Sequence, residues 1–241
     1  MEILTVENYD EMSAEAANII AQLLRLKQNA VLGLATGSTP EGLYACLVKM
    51  YEEKEIDFEK VTCFNLDEYA GLSPDHPQSY HYYMDRHLFS KVNVKKGNIN
   101  IPRCGVENIE TACRDYDKKI HQSGGIDLQL LGLGLNGHIG FNEPADYLQK
   151  DTHLVNLSRE TIEANSRFFP TEDDVPRQAI TMGVGSIMSA ARIMLLASGE
   201  KKADAVKQMT CGKVSTHHPA SLLQLHRNVL VIIDKEAARL I

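Results

Sequence analysis

The stretch from Leu130 to Glu143, Leu-Leu-Gly-Leu-Gly-Leu-Asn-Gly-His-Ile-Gly-Phe-Asn-Glu, constrains this chain more than any other, and Pro144 follows it. It begins as a buried-strand pattern and ends as a glycine-spaced loop. Four glycines, Gly132, Gly134, Gly137 and Gly140, ask for backbone geometry that residues with a Cβ resist. A loop that only turns has no use for His138 and, five residues on, the carboxylate of Glu143. A His oriented by a carboxylate is a proton-transfer pair. The loop, which also holds Asn136 and Asn142, therefore reads as half of an active site, with Asp67 as the candidate for the other half.

The surrounding pattern says where such a loop sits. Apolar positions at helical spacing run over residues 10–27, with Ser13 as a possible early cap. Ala30–Ala35 reads as a short buried strand that enters Thr36-Gly37-Ser38-Thr39, and Pro40 opens a helix of about 14 residues as its first residue. Val61–Leu66 is a second buried strand, ending at Asp67-Glu68-Tyr69. Helix is expected over 78–90, a short strand over 98–101, and helix over 107–121, stopped by Gly124-Gly125. Residues 126–131 form the third strong strand. Beyond the loop, 152–157 reads as strand, 158–169 as a capped helix, 179–190 as helix and 192–197 as strand. Ser198-Gly199 then leads into a helix carrying Lys201 and Lys202, and 228–233 is the last strand. Strands and helices alternate, so the expected class is α/β with a mainly parallel sheet, in one domain spanning 1–241. Ligands in such folds bind beyond the carboxyl ends of the strands. The loops at 36–39, 67–69 and 132–143 meet there.

Each loaded loop has a chemical reading and a plainer one. Gly37, Ser38 and Thr39 lie between a strand and a helix start, where backbone N–H groups and the helix dipole favour phosphate. The alternative is an ordinary capped turn. The loop is neither a Walker A sequence nor a Gly-x-Gly-x-x-Gly dinucleotide fingerprint. Lys202, early in a helix, is electrostatically misplaced unless an anion is near, although two solvated lysines fit equally well. Asp67, at a strand end, can be a general base if burial raises its pKa; from the residues alone, a capping or turn Asp is favoured. Arg167 is a surface charge or a third anion ligand. His81, His87, His121, His153, His217, His218 and His226 carry no readable role.

Composition excludes several classes. The net charge of −7 and the absence of long basic runs argue against general nucleic-acid binding. The five cysteines form no Cys-x-x-Cys, so neither a zinc site nor a disulfide framework is expected; Cys46 and Cys63 read as buried thiols, and the chain as reduced and cytoplasmic. No metal-ligand spacing such as His-Glu-x-x-His occurs, nor a Gly-x-Ser-x-Gly elbow. No apolar run suits a signal peptide or a membrane span.

Five segments taken together resemble the glucosamine-6-phosphate deaminases: Gly33-Leu-Ala-Thr-Gly-Ser-Thr-Pro40, Phe64-Asn-Leu-Asp-Glu-Tyr-Ala-Gly71, Gly137-His-Ile-Gly-Phe-Asn-Glu-Pro144, Ala164-Asn-Ser-Arg-Phe-Phe169 and Leu223-Gln-Leu-His226. They run in order over nearly the whole chain. The resemblance implies a Rossmann-like three-layer sandwich. It also implies conversion of glucosamine 6-phosphate and water to fructose 6-phosphate and ammonia, in N-acetylglucosamine catabolism, with no metal or organic cofactor. By the same resemblance Asp67 moves a proton from C2 toward C1, His138 opens the pyranose ring and Glu143 orients that His. Ser38, Thr39, Arg167 and Lys202 match phosphate ligands or their neighbours, beside Gly37.

Two departures from the family pattern matter. Many members carry Asp where this chain has Asn136, and an amide adds no charge beside His138, though it can still hold the imidazole by hydrogen bonding. Hexameric members bind an N-acetylglucosamine 6-phosphate activator through basic residues after the catalytic loop, whereas Asp151-Thr-His-Leu-Val155 has none and the chain lacks the longer family tail. The expectation is a monomer or small homo-oligomer without that activation, acting on a sugar phosphate, with neither nucleic acid nor membrane as partner. The rivals are a 6-phosphogluconolactonase and a non-catalytic sugar-phosphate sensor. About 28 residues with one helix before the first strand leave too little for the DNA-binding unit such a sensor needs. By position alone, residues 145–170 are a candidate lid.

Overall fold

The computed structural model describes residues 1–103 and 108–241. The strands are β1 (Glu2–Val6), β2 (Val31–Leu34), β3 (Thr62–Asn65), β4 (Asp67–Tyr69), β5 (Ile99–Asn100), β6 (Leu128–Gly132), β7 (His153–Asn156), β8 (Gln178–Thr181), β9 (Arg192–Ala197) and β10 (Val229–Asp234). The α-helices are α1 (Tyr9–Leu26), α2 (Glu41–Glu52), α3 (Tyr80–His87), α4 (Ile109–Gln122), α5 (Arg159–Ser166), α6 (Val184–Met188), α7 (Ala203–Cys211) and α8 (Lys235–Ala238). Cys104, and Glu107 at the expected start of the fourth long helix, lie outside the described residues.

Seven strands form one sheet in the order β1-β10-β9-β6-β2-β3-β5, and every pairing in it is parallel. The chain runs outward from β2 through β3 to β5, then returns to β6 and runs outward the other way. Right-handed crossovers in opposite directions place their helices on opposite faces. The α2 crossover therefore covers one face and the α7 crossover the other, giving a Rossmann-like α/β sandwich. Helix α1, whose crossover runs in the same direction as that of α2, packs against α2. Burial on both faces explains the apolar composition of the central strands: β10 is buried throughout and β9 from its second residue onward, as parallel sheets require. Each fully buried Leu or Ile contributes roughly 2 kcal/mol.

A second, three-stranded antiparallel sheet, ordered β4-β8-β7, was not expected. Asp67–Tyr69, read as the loop after a strand, leaves the main sheet and pairs with Thr181–Ala179. Residues 179–190, expected as one helix, divide into β8 and the short α6. Tertiary pairing overrides helical spacing here, because β8 fills the place between β4 and β7. A separate apolar cluster of Tyr69, Phe141, Leu157, Ile162, Phe169, Val175 and Ala179 supports this sheet.

Smaller expectations are corrected as well. Glu2–Val6 is an edge strand of the main sheet, paired with β10, so the first strand comes near residue 2 rather than after about 28 residues. The Asn8 side chain caps α1, while Ser13 is buried inside the helix where Gly42 lets α2 approach: a Cβ on Gly42 would stand 2.4 Å from the Ser13 hydroxyl. Pro40 occupies the cap position of α2, one residue before the helix. Cys63 is buried, but Cys46 only partly.

Gly183 marks the junction of the two sheets. A Cβ there would lie 2.3 Å from the backbone oxygens of both Lys150 and Asp151, atoms that cannot rotate away. Gly183→Ala should therefore destabilise the protein by about 1–3 kcal/mol, as overpacking does. Urea unfolding checks this; an unchanged midpoint would show that the junction is looser than drawn.

Candidate active site

The order of the main sheet reverses between β2 and β6, and clefts form at the carboxyl ends of strands at such a reversal. The loops after β2, β3, β6 and β9 all leave at that end.

The loop after β6 owes its glycines to what it must hold. A Cβ on Gly134 would lie 2.4 Å from the ring of His138. The missing side chain is the space the imidazole occupies. Gly137, at φ +84°, would meet the His218 ring at 2.2 Å, and Ala220 N–H donates to its carbonyl at 2.8 Å. His218 thus acquires a role the sequence did not show: it buttresses the turn. Gly140, at φ +57°, lies against Thr181 and Asp67; a Cβ there would stand 2.9 Å from Thr181 Oγ1 and 3.6 Å from Asp67 Oδ2. That close approach brings the two predicted halves of the site together.

Asn136 organises the proton-transfer group. Its Oδ1 accepts from the His138 backbone N–H at 3.2 Å and from His138 Nδ1 at 2.7 Å, while its Nδ2 donates to Glu143 Oε2 at 2.8 Å. Glu143 Oε2 is also 3.4 Å from His138 Nδ1. Both groups facing Nδ1 are acceptors, so Nδ1 carries the proton and Nε2 is left to exchange one with a ligand. An amide at 136 can do what a carboxylate cannot: accept from His138 and donate to Glu143 at once. Burial pushes the Glu143 carboxyl up, but hydrogen bonding and charge from His138, with hydrogen bonds from Thr161 and Asn136, outweigh it and hold the group at about 2.

Asp67 is the opposite case. It is 6% exposed, and burial, with the charge of Glu68 beside it, pushes its carboxyl up to about 8. Glu68 is itself buried and tied down, accepting from the backbone N–H groups of Tyr69, Tyr80 and His81 at 2.8–3.0 Å and from His81 Nδ1 at 2.7 Å. It pins the start of α3 to β4.

The anion-binding candidates divide. Lys202 lies in the turn before α7, donates Nζ to the Leu133 carbonyl, and is lowered to about 8 by burial and by the charge of Arg167. A desolvated lysine that also feels the charge of an arginine is suited to hold an anion. Arg167 stands at the C-terminal cap of α5, its guanidinium 4.6 Å from the Phe168 ring centre. Gly37, Ser38 and Thr39 stand on the same rim, after β2. Their loop is braced from behind: Tyr83 Oη donates to the Gly37 carbonyl at 2.7 Å and Tyr9 Oη to that of Ser38 at 3.1 Å. Gly37 takes φ +93°. Among the described residues no hydrogen bond joins this loop to Lys202 or Arg167.

Among the described residues no group of three or more His, Cys, Asp and Glu is placed to hold a metal ion, and no helix is long and apolar enough to cross a membrane. A cavity of about 730 Å³ between α3, β5 and α4, lined among others by Asp85, Lys96, Arg103 and Lys119, includes none of the predicted site residues.

Residues 6–232 match the family model described as glucosamine-6-phosphate isomerases/6-phosphogluconolactonase. The chain belongs to this family. Among its relatives, the glucosamine-6-phosphate deaminase of Thermoanaerobacter sp. (strain X514) is 55% identical over 241 residues, covering 100% of this chain and 95% of the relative. That of Clostridium perfringens (strain 13 / Type A) is 54% identical, covering 100% of both chains. Among solved structures, a monomeric glucosamine-6-phosphate deaminase superposes with a TM-score of 0.97 at 46% identity over 100% of both chains. A 6-phosphogluconolactonase from Thermotoga maritima reaches 0.76 at 20% identity, over 97% of this chain and 99% of that one, a likeness of fold alone.

Within this family member, the low Glu143 value sets a pH window for stability. The folded value lies below the ordinary 4.5, so the stabilisation is present above that pH and is lost as pH falls from about 4.5 through about 2. Glu143→Gln should remove stability on the order of 2 kcal/mol at pH 7 and flatten that part of the acid-unfolding curve. Parallel acid-unfolding profiles for the two proteins would contradict it.

Proposed function

We propose that this chain hydrolytically deaminates and isomerises glucosamine 6-phosphate, giving fructose 6-phosphate and ammonia, as a single domain spanning 1–241. The observation that carries the reading is the buried Asp67 carboxylate beside the His138 loop at Gly140. Two proton-transfer centres with opposed environments suit a reaction with two proton transfers. Relatives at 54–55% identity over the full chain bear that activity in their names.

The residues divide the work as follows. Lys202 and Arg167, with the N–H groups and hydroxyls of Gly37, Ser38 and Thr39, take the phosphate and fix the sugar. Such positioning converts an encounter into a near-unimolecular step. His138 Nε2 accepts the proton of the C1 hydroxyl and returns it to the ring oxygen, opening the pyranose. Asn136 and Glu143 hold the ring in the required tautomer, and the Glu143 charge stabilises the imidazolium that forms. The Asp67 carboxylate removes the C2 proton, giving an enolamine, and delivers a proton to C1. The resulting C2 imine adds water and expels ammonia. A base with its pKa near the working pH is best suited to this exchange, and burial provides that at Asp67.

Lactone hydrolysis needs activated water and has no use for a second, buried carboxyl whose pKa desolvation raises to about 8. The 6-phosphogluconolactonase likeness is one of fold at 20% identity. The chain is assigned to the cytoplasm, as a monomer or small homo-oligomer without an activator, requiring no cofactor. Ammonia release from glucosamine 6-phosphate, set beside hydrolysis of 6-phosphogluconolactone, tests the assignment: lactone turnover alone would overturn it.

Asp67 links activity and stability. Its folded value of about 8 lies above the ordinary 3.8. The folded state therefore binds the proton more tightly, and stability falls as pH rises from about 4 through about 8. Asp67→Asn should lower kcat by roughly 10²–10⁴-fold while raising stability above pH 8 by at least about 1 kcal/mol. In the parent, kcat/KM should rise with pH toward about 8. Steady-state kinetics and thermal melts across pH check all three; turnover preserved in Asp67→Asn would refute the role. Lys202→Met should raise KM about 10–100-fold, the cost of one charge-assisted hydrogen bond, and abolish the thermal shift with inorganic phosphate. An unchanged KM would remove Lys202 from the phosphate site.

A further inference from the structure

Helix α5 touches both ends of the site. Near its start, Thr161 donates its hydroxyl to Glu143 Oε1, the oxygen that neither Asn136 nor His138 uses. At its end, Arg167 stands at the C-terminal cap with its guanidinium 4.6 Å from the Phe168 ring centre, and its charge is felt at Lys202. Six residues separate them, about 9 Å along a helix. The helix start is firmly made: Ser158 Oγ accepts the Thr161 backbone N–H at 3.2 Å, and Thr161 and Ile162 are both buried. Ile162 packs in the same apolar cluster as Phe141 of the catalytic loop.

From this we infer that Thr161 is a positioning residue for ring opening, and that α5 transmits phosphate capture at Arg167 to the orientation of Glu143 and hence of His138. The assignment rests on the deaminase reading above. The physical argument is one of constraint. A carboxylate with two oxygens held by different elements cannot rotate about its last bond. Asn136 and His138 fix one oxygen from within the loop, and Thr161 fixes the other from α5. Without the hydroxyl, Glu143 is free to turn, and Nδ1 of His138 loses the fixed charge that favours the productive imidazolium. A ligand phosphate drawing Arg167 toward Lys202 restrains the helix that carries Thr161. The hydroxyl therefore becomes most effective when substrate is bound, so its loss falls on kcat more than on KM.

The experiment compares Thr161→Val, Thr161→Ser and the parent in ammonia release from glucosamine 6-phosphate, and repeats Thr161→Val in an Arg167→Gln background. Valine keeps the shape, the β-branch and the capped N–H; serine keeps the hydroxyl. Thr161→Val should lower kcat at least about tenfold, as small misplacements of reacting groups do, with KM changed less than about twofold. Thr161→Ser should restore most of the rate. In the Arg167→Gln background the loss from Thr161→Val should shrink at least about threefold, the non-additivity expected of residues acting through one element. Equal kcat in the parent and Thr161→Val would overturn the proposal. So would equal impairment of the Val and Ser variants, which would mean packing rather than the hydroxyl, or full additivity with Arg167→Gln. A parent protein that releases no ammonia would instead defeat the deaminase reading and this inference with it.

Discussion

The parallel pairing of β2 with β6, where the strand order turns back on itself, is the constraint on which the rest depends. To one side the sheet extends through β3 and β5, to the other through β9, β10 and β1. Neighbouring connections diverge onto opposite faces at that point and leave a cleft that no crossover covers. The loops after β2 and β6 border it, Asp67 follows the strand beside β2, and Lys202 follows the strand beside β6. The chemistry is assembled from segments far apart in the chain because the sheet brings their strand ends together.

Two carboxylates there are driven in opposite directions. Asp67 meets desolvation and the nearby charge of Glu68, and is held toward its protonated form. Glu143 meets an imidazole, a hydroxyl and an amide, and is held ionised. Pairs whose environments separate their proton affinities mark acid–base assignments. Their difference supports the proposal that one takes part in C–H chemistry and the other orients a histidine. Asn136 fits the same scheme: its two-sided amide joins His138 to Glu143 without adding a second charge to a loop that already holds one ionised carboxylate.

Much of this was legible in the sequence where the signal was local. The strands at 126–131 and 192–197, the cap at Ser158 and the glycine-rich loop follow from apolar runs, side-chain capping and positive-φ positions. The errors came where pairing across the chain decided the outcome. Glu2–Val6 looks unremarkable because an edge strand exposes most of its side chains; only β10 makes it a strand. Residues 179–190 carry a helical pattern, yet their first three residues are drawn between β4 and β7. Asp67 alone favoured a turn, since sequence shows neither its burial nor the closeness of Gly140. Thr161 gave no signal, because its partner lies 18 residues away on another element.

The sequence by itself determined the fold class, the alternation of strands and helices, the loops that carry the candidate site and the family to which the chain belongs. These follow from periodicity, from side-chain chemistry and from the motifs that surround it. Tertiary structure decided the second sheet, the desolvation of Asp67, the ionised state of Glu143, the tautomer of His138 and the reach of α5 across the site. Each of those depends on which distant atoms come within a few ångströms. The loop from Leu130 to Glu143 shows both: its glycines announce an unusual turn, but only the fold shows that they make room for His138, His218 and Asp67.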